Sequence, residues 1–307
     1  MQIINQLDAF PAALRGGAVS IGKFDGMHLG HSLIVHRLKS YANKLQIPSI
    51  IVTFDKPPLA VLQPEFGFRA ICTLERKIEL AEDFHIDAIV VLPTTQELLE
   101  RKAGEFFQTV IKNTFDAKVI VEGRNFLFGC NREGTAELMK DLAVQSGIKA
   151  DIVDFVQIGD ARVSSSNIRH LIENGRIELV NELMPQPYRM TGKVICGDQR
   201  GRTLGFPTAN LSEVQTVLPK PGIYATAALI GGKRYASTTH IGSLLTFKKT
   251  DLRLEVYVHH FDGDLYGQML SIDFLAYLRD VICFTSTEAL AAQIQTDIQH
   301  SERIYNT

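Results

Sequence analysis

Apolar residues between positions 17 and 156 follow two alternating patterns. Short β-branched runs, "AVSI", "SIIVTF", "AIVVL", "KVIV" and "DIVDFV", are separated by longer stretches with helical spacing. Ile34, Leu38, Tyr41 and Leu45 recur three or four apart between the first two runs, and Leu74, Ile78, Ala81 and Phe84 do so between the next pair. Strand runs alternating with amphipathic helices predict a doubly wound α/β half built on a parallel sheet. A short helical tail follows, "SSSNIRHLIENG" and then "RIELVNELM", before the proline-bearing "MPQPY" at 184 to 188. Beyond it the period becomes two. "RLEVYVHHF" and "LYGQMLSI" flank Asp262 and Gly263, a pairing that predicts a hairpin. The second half is expected to be a β-barrel. It closes on "STEALAAQIQTDIQHS", a predicted C-terminal helix with Ser286 or Thr287 as N-cap and Glu288 in its first turn. The expected domains are 1–186 and 187–307, and 307 residues suffice for two separate cores.

Composition narrows the function classes. With 32 basic against 34 acidic residues, the net charge of -2 argues against a polyanion partner such as nucleic acid, while leaving room for a local basic site for a small phosphate. Cys72, Cys130, Cys196 and Cys283 form no C-x-x-C pair and read as reduced thiols of a cytoplasmic protein. No run approaches the roughly 18 apolar residues that a membrane span requires, and the first ten residues lack the marks of a secretory leader. An oligomer is compatible with all of this.

The candidate chemistry begins at "GKFDGMHLGH", residues 22 to 31, a glycine-rich turn between the first of these strand runs and a helix start. Backbone N–H groups and the helix dipole favour an anion there. Neither G-x-G-x-x-G nor G-x-x-x-x-G-K-[ST] is present, so a nicotinamide enzyme and a P-loop kinase are not supported. His28 and His31 can donate hydrogen bonds to phosphate oxygens while Gly30 permits close approach, which suits in-line displacement at a nucleotide's α-phosphate. Alternatively the two histidines cap the helix or face water. Ser164, Ser165 and Ser166 open another helix with Arg169 one turn in; they are either an N-cap or hydroxyl and guanidinium donors for a departing pyrophosphate. Asn125, Phe126 and Phe128 in "EGRNFLFGCNREGT" either hold a planar ring or, for the two phenylalanines, belong to the core.

In the second half, "GDQRGRTLGFPTANL" at 197 to 211 places Gly197, Gly201 and Arg202 ahead of Thr208 and Asn210. It reads either as a tight loop ended by Pro207 or as a phosphate cradle with hard oxygen ligands suited to Mg²⁺. In "DLRLEVYVHHF", Leu252, Leu254, Val256 and Val258 share one face and Arg253, Glu255, Tyr257 and His259 the other. As a lone strand glutamate, Glu255 would simply face solvent.

Taken in order, G-x-F-D-G-x-H-x-G-H, N-F-x-F-G and the S-S-[ST]-x-I-R stretch resemble the adenylyltransferase module of the bacterial bifunctional riboflavin kinase/FMN adenylyltransferases. The G-F-P-T-A-N-L string resembles the signature of their kinase module. The resemblance covers nearly the whole chain. It implies a Rossmann-like nucleotidyltransferase followed by a riboflavin kinase-like barrel, in which ATP phosphorylates riboflavin to FMN and a second ATP adenylylates FMN to FAD, both with Mg²⁺. By the same resemblance, His28 and His31 are catalytic; Gly22, Phe24, Gly30, Asn125, Ser164, Ser165 and Arg169, with Gly197, Gly201 and Arg202 in the second half, touch nucleotide or phosphate; Phe126, Phe128, Tyr266 and Arg279 line flavin pockets; Thr208 and Asn210 bind magnesium; and Glu255 is the general base for the ribityl hydroxyl.

Several positions depart from the family pattern. Pro57 in "DKPPLAVL" stands where a histidine is usual, a loss of about 3 kcal/mol if that donor acts like a typical oxyanion-hole group, unless Lys56 substitutes as a point charge. "HIGSLLTF" puts His240 for asparagine and Leu245 for proline; "LRDVICF" puts Val281 for glutamate and Cys283 for lysine; Ser166 replaces threonine. These departures keep open an alternative: a diverged paralogue that binds flavin or nucleotide as a regulator and has lost one or both reactions. A relative among other H-x-G-H nucleotidyltransferases explains the first half only, and a class I aminoacyl-tRNA synthetase lacks its K-M-S-K-S-like loop here.

Overall fold

The computed structural model describes residues 1–8, 10–159, 161–197, 201, 205–243 and 252–307. They form two compact units, Met1–Ser164 and Ser165–Thr307.

The first unit is built on six strands: β1 (Gln2–Ile4), β2 (Ala18–Ile21), β3 (Ser49–Phe54), β4 (Ala88–Leu92), β5 (Val119–Gly123) and β6 (Lys149–Val153). Their order is β1-β4-β3-β2-β5-β6, and every pair is parallel. The five expected runs are the five inner and far-edge strands. β1 is the addition: three residues at an edge, with Ile3 about half exposed, carry too little periodicity to be read. Side-chain alternation explains why the runs are apolar throughout. Val19, Ile21, Ile50, Val52 and Ile120 pack on one face with Phe106, Phe107, Ile111 and Phe115. Ala18, Ile51, Ile89, Val119 and Val121 pack on the other beneath Val35 and Leu38 of α1 (Leu29–Leu45) and Leu80 of α2 (Leu74–Asp83). A third helix, α3 (Ala136–Gln145), lies between β5 and β6 in the chain. Because β3 and β4 lie on one side of β2 while β5 and β6 lie on the other, the winding reverses between β2 and β5. In such sheets ligands bind at the carboxyl ends of the strands at that reversal.

The second unit starts with α4 (Ser165–Glu173) and α5 (Ile177–Leu183) and continues into a closed six-stranded antiparallel barrel. Its strands are β7 (Arg189–Ile195), β8 (Ala209–Ser212), β9 (Gly222–Ile230), β10 (Lys233–Ser243), β11 (Leu252–Val258) and β12 (Met269–Arg279), in the order β7-β8-β11-β10-β9-β12. α5 is fastened to the barrel: Asn181 Nδ2 donates to Phe274 O at 2.9 Å, and Glu178 Oε1 accepts from Tyr277 N at 3.2 Å. By packing, therefore, the helical tail sides with the barrel. The C-terminal helix α6 (Thr287–Tyr305) is capped by Ser286, whose hydroxyl accepts from Ala289 N at 3.2 Å.

One expectation is corrected. β11 and β12 do not form a hairpin: β11 pairs with β8 and β10, and β12 with β7 and β9. A two-residue hairpin turn of the Asp-Gly kind needs positive φ at its central residues. Neither Asp262 nor Gly263 has one; in this connection positive φ falls at His260 (52°) and Gly267 (75°).

Candidate active sites

At the end of β2 the chain enters a constrained loop. Phe24 (φ 46°) and Met27 (φ 43°) are non-glycine residues in the left-handed region, at a cost of roughly 1–2 kcal/mol each. Burial and anchoring hold them there. Phe24 and Met27 are buried, and Asp25 Oδ1 accepts from the backbone N–H of Ile71 at 2.7 Å and of Cys72 at 3.3 Å. The N–H of Gly26 points to Cys72 Sγ at 3.2 Å, and burial pushes that thiol up to about 11, so it stays protonated at neutral pH. Gly26 (φ +83°) has no room for a methyl group, since a Cβ would lie 2.9 Å from Ile71 Cγ2.

The loop delivers His28 as the N-cap of α1, where its Nδ1 accepts from His31 N at 3.3 Å. The bond requires a bare Nδ1, so the ring's proton sits on Nε2. The two imidazoles stack, with centroids 3.7 Å apart and planes 13° apart. A Cβ on Gly30 would come within 3.1 Å of His28 Cε1, so glycine is what lets the ring lie across the helix start. His31 Nδ1 is buried and makes no hydrogen bond among the described residues. Its pKa is held well below the ordinary value by burial first, then by His28, Lys77 and Lys23. An imidazole pair at a helix N-terminus, with His31 held neutral, is a donor array for an anion that avoids the desolvation cost of a buried imidazolium at His31.

Two residues of this region were missed in the sequence. Lys77 of α2 is buried, with Nζ donating to Thr53 Oγ1 at 3.0 Å, and burial pulls its ammonium below the ordinary lysine range. Glu122 of β5 is buried too, and its Oε1 accepts from Ile21 N at 2.7 Å. The available signal was a charged residue in an apolar place: Lys77 on the Leu74–Ile78–Ala81 stripe, and Glu122 closing "KVIV".

Asn125 follows β5 and is exposed, and its Oδ1 lies 3.2 Å from where a Cβ of Gly123 would stand. Phe126 and Phe128 stack with centroids 5.4 Å apart; Phe128 is buried in the core, whereas Phe126 is only half-buried against it. Ser164 ends the first unit, while Ser165 and Arg169 stand on α4 in the second. Gly22 continues the β2–β3 ladder through its N–H to Val52 O at 2.9 Å.

In the barrel, strand register builds a polar row. Asn210 on β8 is directly opposite Glu255 on β11, which is directly opposite His240 on β10. His240 Nδ1 lies 3.6 Å from Glu255 Oε2, and the His240 ring covers Gly242, where a Cβ would be 2.5 Å from Nε2. The opposite face of β11 is buried at Leu254, Val256 and Val258, as its alternation requires. Gly197 and Gly201 make room for Asn210 and for the segment that carries Thr208: a Cβ on Gly197 would meet Asn210 Nδ2 at 2.4 Å, and one on Gly201 would meet Phe206 O at 2.4 Å and Thr208 Oγ1 at 3.3 Å. The side-chain oxygens of Thr208 and Asn210 suit a hard cation that takes its other ligands from phosphate and water. Arg202 and Leu245 lie outside the described residues.

Comparison with known proteins finds the same division of the chain. Residues 10–167 match the family model for FAD synthetase, and residues 184–305 that for riboflavin kinase. The bifunctional riboflavin kinase/FMN adenylyltransferase of Haemophilus influenzae is 30% identical over 100% of both chains. That of Listeria monocytogenes is 32% identical over 94% of this chain and 92% of its own. The chain belongs to this family. A crystal structure from Streptococcus pneumoniae described as a macrolide-efflux protein shares the fold across 98% of both chains, with a TM-score of 0.88 and 28% identity. Among the described residues, no helix of the present chain is long and apolar enough to cross a membrane.

Within this riboflavin kinase/FMN adenylyltransferase frame, the departures acquire positions. Pro57 caps a short helix, Pro58–Leu62, and the preceding Lys56 is pinned through its backbone: its N–H donates to Asp55 Oδ1 at 2.6 Å and its carbonyl accepts from Thr94 Oγ1 at 2.8 Å. Val281 and Cys283 are exposed. Tyr266 presents a half-exposed ring, with its N–H donating to Asp264 Oδ1 at 2.9 Å. Arg279 is engaged by α6: Nε and Nη2 reach Asp297 at 3.0 and 2.6 Å, and Nη1 donates to Asp280 O at 2.9 Å.

Proposed function

We propose that this chain converts riboflavin to FMN in its barrel and FMN to FAD in its α/β unit, using ATP in both steps. The reading rests on one observation: the imidazole pair and the Asn210–Glu255 row coexist in a chain that aligns from end to end with a bifunctional relative. Whole-length likeness is what distinguishes a two-step enzyme from a borrowed domain.

For adenylyl transfer, a phosphate oxygen of FMN attacks the α-phosphorus of ATP and pyrophosphate leaves. Charge builds on the α-phosphate oxygens, and His28, with its proton on Nε2, donates to one of them while His31 donates beside it. Gly22, Phe24 and Gly30 shape the turn, Asn125 and Ser164 contribute polar contacts, and the exposed side of Phe126, backed by Phe128, takes the flavin. The roles of Ser165 and Arg169 as pyrophosphate donors rest on the sequence motif.

For phosphorylation, Glu255 accepts the proton of the terminal ribityl hydroxyl as that oxygen attacks the γ-phosphorus, a role worth typically about 10²–10⁴-fold. Gly197 and Gly201 let the backbone curl around phosphate, with Arg202 assigned there by sequence. Thr208 and Asn210 would hold the magnesium ion; when bound, it neutralises charge on the ATP phosphates. Tyr266 lines the flavin pocket. Arg279 is also assigned to that pocket, through the edge that its pairing with Asp297 leaves. We place the functional boundary after residue 186 and the enzyme in the cytoplasm, in keeping with four cysteines that form no disulfide.

Incubating the protein with riboflavin, ATP and Mg²⁺ and separating the flavins over time tests the reading. FMN should rise first and FAD follow. Flavin binding without conversion would instead support the regulator.

A further inference from the structure

Glu122 is a buried carboxyl of the first unit that the chemistry above does not use, although it stands where the winding of the sheet reverses. β2 and β5 pair only at Ala18↔Val119 and Val19↔Ile120, yet β2 continues to Ile21 and β5 to Gly123. Beyond Val19 the backbone ladder stops. The next outward N–H, that of Ile21, donates not to a β5 carbonyl but to Glu122 Oε1, at 2.7 Å. The side chain thus closes the floor of the gap between the two strand ends, one residue before the loop that leads to His28 and α1. By side-chain parity it lies on the Ile120 face of the sheet, the face against which Phe126 and Phe128 pack.

Glu122 is 2% exposed, and Ile21 N–H is its only hydrogen-bonding partner among the described residues. Burial raises its pKa well above the ordinary carboxyl value; the one opposing influence is that backbone bond, with no charged side chain contributing from any neighbouring element. With Oε1 fixed as the acceptor of Ile21 N–H, the acid proton belongs on Oε2, and the group presents an O–H donor beside a carbonyl that has a second lone pair. Oε2 makes no hydrogen bond among the described residues, so an O–H there is available to an acceptor that arrives with a ligand.

We propose that Glu122 is a specificity residue of the adenylyl-transfer site: its carboxylic acid reads the edge of a planar heterocycle that carries an acceptor next to an N–H donor. The inference rests on the function proposed above. Two substrates of that reaction present such an edge, the N1/N6 side of adenine in ATP and the imide side of the flavin in FMN. A carboxylic acid meets either with two parallel hydrogen bonds, its O–H to the ring acceptor and the ring N–H to its carbonyl. A carboxylate would repel the acceptor, so burial and recognition need the same neutral form.

Substrate selectivity in the full-length protein tests this. In the unaltered enzyme kcat/KM is measured for ATP against inosine triphosphate, whose N1 and C6 groups exchange donor and acceptor, and for FMN against N3-methyl-FMN, whose edge lacks the N–H. One of the two ratios should fall by about tenfold or more in Glu122→Met and be largely restored in Glu122→Gln, which keeps a donor and an acceptor. The ratio that falls identifies the ring. Should Glu122→Met not fold, the comparison moves to pH: the ratio of the unaltered enzyme should decline as pH rises and the acid ionises, while that of Glu122→Gln stays level. Ratios that respond neither to Glu122→Met nor, in the pH comparison, to ionisation overturn the proposal. FAD formation from FMN and ATP by the unaltered enzyme is the separate check on the function: its absence would defeat the reading, whereas unresponsive ratios with FAD still formed defeat only the role of Glu122.

Discussion

His31 and Glu122 are both held uncharged by burial, and the pH consequences run in opposite directions. For His31 the folded-state pKa lies well below 6.5, so between that value and about 6.5 the unfolded chain binds more protons; this group's contribution to stability is lost as pH falls through that window. The acid limb of FAD formation should accordingly lie below the ordinary histidine range. Lys77→Met, which removes one of the cations acting on His31, should move that limb upward in a kcat/KM profile. For Glu122 the folded-state pKa lies above 4.5, so its neutral form is accommodated in full at low pH and ionisation weakens the fold as pH rises toward the raised value. Glu122→Gln should match the unaltered protein in melting temperature near pH 4 and exceed it increasingly toward pH 8. At this scale the motifs singled out His28, His31, Thr208, Asn210 and Glu255, and the structure stacks the two imidazoles and sets Asn210 opposite Glu255. Lys77 and Glu122 were written in plain view as charges within apolar patterns, but their depth depends on how the helix and sheet pack, which spacing alone does not encode.

The elements place these groups, and two predictions belong to them. Gly30 lies in the first turn of α1, directly beside the His28 ring, and a methyl group there must displace it. Gly30→Ala should reduce FAD formation by about tenfold, because relieving the 3.1 Å contact needs a shift of only a few tenths of an ångström and a full displacement of about 1 Å costs about 100-fold, while the melting temperature changes little. The contact between β12 and α6 is different in kind. Asp297 is nearly buried and bridged by Arg279, so Arg279→Met leaves a buried carboxylate short of its cation and should destabilise the second unit by about 3 kcal/mol in a denaturant titration. Helix limits were readable where caps exist: Ser286 caps α6 as its position suggested. The Asp262–Gly263 pair misled because an Asp-Gly dipeptide closes the type I′ hairpin it signals only when both residues take positive φ, and here closure of the barrel sends β11 and β12 to different neighbours.

For the molecule as a whole, the change in hydrophobic period near residue 187 separates a parallel sheet from a barrel because the two solve burial differently, one with apolar runs covered on both faces and one with alternation. The barrel's strand order was not legible, since β8 meets β11 and β7 meets β12 only through contacts distant in sequence. Nor was the packing of the 165–183 helices with the barrel, which depends on Asn181 and Glu178 finding backbone groups of β12. The central claim is that two separate sets of side chains run two consecutive reactions. The most direct measurement follows flavin products in His28→Ala, His31→Ala and Glu255→Gln, each supplied in parallel with riboflavin or with FMN, always with ATP and Mg²⁺. The histidine variants should make FMN from riboflavin and stop there, and Glu255→Gln should leave riboflavin unconverted yet turn supplied FMN into FAD; loss of both products in every variant, or normal FAD formation without the imidazoles, would contradict the account.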